Sequence, residues 1–266
     1  MFDRIFDLAK IQNKISSFSP NLKKQYYDYL INEFGVSFTY HSNRIEGVNS
    51  TLTLNDTRKI INDTYDFDSV IDKNKKREIN ETINHQSAFK YIFDILDKNQ
   101  DIIDIIKNLH KIIGSGIIEG AGNYKKNENY LINSNGIEID FTKPMDVNKK
   151  MQELKKYYDN EWQKLTVYER AVLLHMAIIN IHPFSDGNGR VARLIMNYEL
   201  IKNNYPPVLI NETQKIYYYS VIEEININTN YLEDPFAIGD IKIFCDTIEQ
   251  LSVVTFKNMQ KYYEDK

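Results

Sequence analysis

Residues Glu169 to Asn180, "ERAVLLHMAIIN", are apolar on nearly every side of a helix. A helix without a polar face has no surface to give to water, so other elements must pack around it. A second run, "RLIMNYELI" from Arg193 to Ile201, is almost as apolar, and Tyr205-Pro206-Pro207 ends it. Two such segments in succession call for a helical core with more helices outside it. The chain supplies them. "KKREINETINHQSAFKYIFDIL" (Lys75 to Leu96) and "DIIDIIKNLHKIIGSGI" (Asp101 to Ile117) carry apolar residues at helical spacing. Two further helical segments lie near Glu212 to Ile227 and Phe236 to Tyr262. Glycine and proline, 10 and 6 in 266 residues, rarely interrupt this pattern, so the expected fold class is all-α. One interruption stands out. "YLINSNGIEID" from Tyr130 to Asp140 has two short β-like runs around Asn135-Gly136, a strong hairpin signal. A lone hairpin is marginally stable by itself. It is either a surface loop or a flap that gains order by pairing with another chain's backbone.

Charge and cysteine narrow the partners. A net charge of −4 provides no basic field for nucleic acid. The one cysteine, Cys245, cannot form an intrachain disulfide; it fits a reducing compartment and excludes multi-cysteine metal sites. The N-terminal "MFDRIFDLAKIQNKI" lacks the apolar core of a signal peptide, and no stretch is apolar for long enough to span a bilayer. A cytoplasmic protein is expected, with neither nucleic acid nor membrane as partner. There is no repeat, low-complexity tract or obvious linker, so one compact unit is expected.

Between the two most apolar segments lies "IHPFSDGNGRVAR" (Ile181 to Arg193), which the packing of two buried helices does not require. Pro183 disfavours helical geometry at the residue before it, so the first helix should end near His182. Phe184 can point back into the core and anchor the turn. Gly187 and Gly189 let the loop curl with N–H groups facing inward. The next helix should begin at Asn188 or Gly189, with unpaired N–H groups and partial positive charge at its start, a ready anion site. Arg190 and Arg193, three apart, share a face of its first turn and add two cationic forks. Beside an anion held in that way, Asp186 can hold Mg²⁺ against phosphate oxygens, and His182 has the chemistry of a general base. His85, His110 and His175 lie on helical segments and read as packed or surface histidines.

"HPFSDGNGRVAR" matches at every specified position the Fic family signature H-P-F-x-[D/E]-G-N-G-R-x-x-R, and the chain resembles that family from about residue 96 to 230. The resemblance implies a helical domain with a β-hairpin flap at about residues 122–141, and transfer of AMP from ATP to a hydroxyl side chain of a target protein. It implies that His182 deprotonates the hydroxyl, Asp186 binds Mg²⁺, and Asn188 with the Gly187 and Gly189 backbone holds the α-phosphate. Arg190 and Arg193 would bind the outer phosphates, and Phe184 would anchor the loop. A Ser, Thr or Tyr target would dock at the flap, and self-modification is a further possibility of the chemistry. In relatives the flap often begins Gly-x-x-Arg; Gly122-Asn123-Tyr124-Lys125 has lysine instead. Tyr218 and Tyr219 match a loose pattern that borders the adenine pocket.

A second match lies far upstream. "SNRIEG" (Ser42 to Gly47) resembles the family's inhibitory motif [S/T]-x-x-x-E-[G/N]. The helix leading to it should stop at Gly47, a usual C-terminal capping residue. Glu46 in the last turn faces the negative end of the helix dipole and needs a cation to offset it. The resemblance implies that Glu46 pairs with Arg193 and blocks γ-phosphate placement, with Ser42 and Gly47 completing the motif. The expected layout is an N-terminal helical region (1–95) with this motif, a Fic core (96–230), and a C-terminal helical segment (231–266). Three activities stay open: a self-inhibited protein adenylyltransferase, a hydrolase that uses Glu46 to remove AMP from a target, and a non-enzymatic nucleotide-binding module.

Overall fold

A computed structural model describes residues 2–47, 50–67, 70–132, 138–229 and 241–264. The elements run α1 (Phe2–Ser16), α2 (Pro20–Tyr29), a π-helical turn (Leu30–Phe34), α3 (Gly35–Glu46), α4 (Leu54–Ile61), α5 (Lys73–Ile95) and α6 (Ile102–Ile113). Strands β1 (Tyr130–Ile132) and β2 (Glu138–Asp140) follow, then α7 (Pro144–Asp159), α8 (Val167–Ile181), α9 (Asn188–Lys202), α10 (Lys215–Thr229) and α11 (Lys242–Glu264). The architecture is helical with one small hairpin, as the periodicity predicts.

α8 is the central helix. Thr166 and Glu169 form a reciprocal capping box at its start, satisfying two N–H groups that the helix cannot pair itself. Val172, Leu173, Leu174, Met176, Ala177 and Ile178 are fully buried. α8 and α9 pack against each other along their length, with α7 and α11 against α8 and α3, α5 and α6 against α9. Both helices therefore lack a solvent face, which explains their uniform apolarity. Glu199 accepts from Arg170 Nε at 2.8 Å and from the Tyr158 hydroxyl at 2.8 Å, tying α7, α8 and α9 together. Removing either cross-helix donor would leave a buried carboxylate under-satisfied. One hydrophobic core runs from Leu8 to Met259, and a smaller cluster of Leu52, Ile60, Val70 and Ile79 closes the α4–α5 corner.

One boundary and one cap differ from expectation, and one expected boundary lies outside the described residues. α6 stops at Ile113, not Ile117, because Gly114 begins a tight turn in which an added Cβ would lie 2.8 Å from Ala121 Cβ. α3 ends at Glu46, but Gly47 is extended (φ −89°), so the left-handed cap expected of that glycine is not formed. The last helix begins at Lys242; Phe236 to Asp240 fall outside the described residues. In the hairpin, Tyr130 pairs with Asp140, Leu131 with Ile139 and Ile132 with Glu138, antiparallel. Asn135-Gly136 also fall outside the described residues.

Candidate active site

α8 ends at Ile181, one residue before the position that Pro183 restricts. His182 then takes left-handed backbone angles (φ 51°, ψ 58°), a conformation rare outside glycine and concentrated at functional positions. Its Nδ1 lies 3.2 Å from the Ile179 carbonyl. A carbonyl only accepts, so the proton sits on Nδ1 and the Nε2 lone pair is free. Burial lowers the imidazole pKa to about 4, and the Lys125 ammonium acts the same way; Glu46 and Asp186 pull it up. His182 is thus neutral across the physiological range.

The loop that follows is braced from several sides. Asn188 accepts the Phe184 N–H on Oδ1 and donates from Nδ2 to the Phe184 carbonyl, both at 2.9 Å. Its side chain braces the loop, and the backbone N–H groups at the helix start remain as donors for an anion. Phe184 is fully buried and stacks on His110 (3.7 Å between ring centres, 8° between planes). His110 Nδ1 accepts from Gly122 N–H at 2.8 Å, so Nε2 carries the proton and donates to the Asp186 carbonyl at 3.1 Å. His110 is therefore a strut under the loop, beyond the packing role its sequence position suggests. Gly187 is left-handed (φ 77°), and Gly187 caps α9 without a side-chain bond. The first turn of α9 keeps its unpaired N–H groups and partial positive charge.

Both arginines lie buried against this helix start. Arg190 is 4% exposed, yet its Nε has no hydrogen-bond partner among the described residues; its other nitrogens stand 3.7 Å from Glu81 and 3.8 Å from Asp186. Arg77 of α5 bridges the same two carboxylates, at 3.2 Å from Glu81 and 3.6 Å from Asp186. Neither Arg77 nor Glu81 carries a sequence signal as a site residue; only the packing of α5 on α9 brings them in. Arg193 is engaged through two of its three nitrogens. It donates to Glu46 Oε1 at 2.7 Å, to the Ser42 carbonyl at 2.9 Å and to Ser42 Oγ at 3.0 Å. The upstream motif and the loop, 147 residues apart, meet at this arginine. A Cβ added at Gly189 would collide with Glu46 Oε1, so the carboxylate rests on the first turn of α9. Glu46, Arg77, Glu81, Asp186 and Arg190 are among the residues that line a cleft of about 730 Å³.

The two tyrosines part company. Tyr218 is buried, its hydroxyl 2.6 Å from His175 Nε2 and its ring 6.0 Å from the Arg193 guanidinium. Tyr219 is 38% exposed beside the end of α3. His175 is a core histidine, fully buried.

The model of the Fic/DOC family matches residues 99–200, from the start of α6 through most of α9 with the whole loop between. The chain contains a Fic domain. The chain is 31% identical over 198 residues to protein adenylyltransferase fic-1 of Caenorhabditis elegans. It is 35% identical over 191 residues to protein adenylyltransferase Fic of Drosophila melanogaster. These alignments cover 71% and 70% of this chain but only 36% of each relative, so the chain spans little more than a third of their length. A solved Fic domain containing signaling protein from Bacteroides thetaiotaomicron superposes with a TM-score of 0.81 at 25% identity, covering 96% of this chain and 94% of its own. Residues 134–508 of C. elegans Fic-1 share the fold, with a TM-score of 0.76 at 22% identity and coverage of 99% and 73%.

Proposed function

We propose that this Fic domain transfers AMP from ATP to a hydroxyl side chain of a target protein, and that Glu46 holds it inactive in the state described. The observation that carries the reading is the content of one loop. A neutral imidazole with a free Nε2, an uncapped helix start and two buried arginines lie together, as phosphoryl-type transfer needs. The relatives named as protein adenylyltransferases support it.

In this reading the ATP phosphates take the N–H groups of α9 with Arg190 and Arg193. The target hydroxyl gives its proton to His182 Nε2, its oxygen bonds to the α-phosphorus, and the bond to the β-phosphate oxygen breaks, releasing diphosphate. Asp186 fits a metal ion: its carboxylate is half-exposed, with Oδ1 on the Gly187 N–H and Oδ2 no closer than 3.6 Å to Arg77. Mg²⁺ held there would neutralise charge on the phosphates, and one carboxylate with phosphate oxygens and waters suits its coordination. Glu46 opposes productive binding because it occupies Arg193 and lies over Gly189, where outer phosphates would rest.

The test uses ATP labelled at the α-phosphate. Label on a protein of the source lysate, lost in His182→Ala with ATP binding retained, is the expected result. General-base removal costs about 10²–10⁴-fold, so transfer at the parental rate in His182→Ala would end the assignment. A second reading keeps Glu46 as the base: Oε1 takes the Arg193 bond, leaving Oε2 to orient water toward an AMP-modified target. Loss of label from a modified target would favour that hydrolase, and binding without either turnover would favour a nucleotide-binding module.

A further inference from the structure

Phe141 directly follows β2, at the return stem of the flap. Its ring stacks on the His182 imidazole, 3.8 Å between centres and 14° between planes. The other stem is also fixed to the loop. Lys125 N–H donates to the Pro183 carbonyl at 2.9 Å, and Asn129 Nδ2 donates to the Phe184 carbonyl at 3.1 Å. The Lys125 ammonium is buried, donates to Asn129 Oδ1 and lies 5.8 Å from the centre of the Phe141 ring. Both stems of the flap therefore hold the residues from His182 to Phe184.

We propose that Phe141 is a positioning residue for His182: its ring clamps one face of the imidazole so that Nε2 meets the incoming hydroxyl edge-on. This rests on His182 being the base. One hydrogen bond, Nδ1–H to Ile179 at 3.2 Å, fixes the tautomer but leaves the ring free to swing about that contact. A parallel ring against its face removes that freedom, and misplacement of a reacting group by about 1 Å can cost roughly 10²-fold. Space filling does not account for the arrangement. Phe141 is only half-buried, while its counterpart under the loop, Phe184 on His110, is fully buried. Since Phe141 sits on the flap, a target that pairs with the flap and the base that receives the target's proton are held by one element.

The test takes Phe141→Ala, Phe141→Leu and Phe141→Tyr in the Glu46→Gly chain, with His182→Ala alongside. The expected result is a fall in kcat of about tenfold or more in the Ala and Leu variants, KM for ATP within about twofold, and recovery in the Tyr variant, which keeps the flat face. A second readout needs no activity: an imidazole NMR titration, with His182 assigned by the spectrum of His182→Ala. Burial, with the Lys125 ammonium acting the same way, holds His182 at about 4, while the bond to Ile179 and the charges of Glu46 and Asp186 pull it up. Uncovering the ring in Phe141→Ala should raise it toward the ordinary 6.5. An unchanged kcat and titration in Phe141→Ala, with His182→Ala inactive, overturns the proposal alone. Equal recovery by Leu and Tyr overturns the stacking argument, since bulk would then suffice. Activity retained in His182→Ala removes the base assignment on which it stands.

Discussion

At the scale of the residue, positive φ marks both ends of the loop, at His182 (51°) and Gly187 (77°). Glycine adopts this geometry freely, whereas an L side chain there costs about 1 kcal/mol. The histidine is kept at a strained position by what its ring does. His182→Ala and His182→Gly both delete the ring, with its stack and its bond to Ile179, so their difference reads the backbone. Urea denaturation should find the Gly variant more stable by about 1 kcal/mol; equal midpoints, or a less stable Gly variant, would show that the left-handed geometry is unstrained. Most of the loop is legible in sequence because its parts are adjacent: the proline that ends a helix, the glycines that curl, the arginines one turn apart. His110, Arg77, Glu81 and Phe141 are not. Each reaches the site through packing between elements distant in sequence, and a histidine or glutamate on a helical segment looks like any other. Tyr218 shows the converse. Its sequence position suggests a ligand contact, but its hydroxyl is taken by His175 and burial raises its pKa to about 12, so only its ring face remains to offer.

At the scale of the element, α3 is the arm that carries Glu46 to Arg193, and in the proposed function it is what inhibits. Ser42 and Glu46 are four apart and share a face, so one arginine reaches both. The same helix is seated on α5 through Thr39, which bonds His85 and Gln86 at 3.1 Å. Glu46 at a helix C-terminus is unfavourable alone, and Arg193 supplies the cation that offsets it. Ser42→Ala removes one of the three bonds holding Arg193, a loss of about 1 kcal/mol. AMP transfer by that variant should rise about three- to tenfold over the parent and stay below that of Glu46→Gly; unchanged or lower transfer would show that Ser42 does not contribute to the hold. The long, strongly periodic elements α5 and α8 fall within two residues of their predicted spans at each end, as apolar spacing is dense there. The end of α6 is hidden because Ala121 leaves room only for a glycine at 114, a closeness of packing that no local pattern reports.

At the scale of the whole molecule, all five histidines are held below 6.5, with burial the largest cause each time. A base that is neutral when folded and free to protonate when unfolded gives stability that is complete above about 6.5 and falls as pH drops toward the folded value. For His110 and His175, held at about 4 and about 3, going from pH 7.5 to 5.5 costs about 1.3 kcal/mol each. His85 adds in the same direction. Asp56 and Asp101, whose carboxyls are held low, lose their contribution only in more acid solution. Urea midpoints should therefore fall clearly between pH 7.5 and 5.5, and equal midpoints would contradict the buried, neutral state of these rings. The central claim joins two sites 147 residues apart, Glu46 on α3 and Arg193 on α9. The most direct measurement of it is AMP incorporation by the parent chain and by Glu46→Gly at equal ATP and Mg²⁺, with folding checked by circular dichroism. Freed Arg193 predicts higher incorporation by Glu46→Gly; equal or lower incorporation by a folded variant would contradict it.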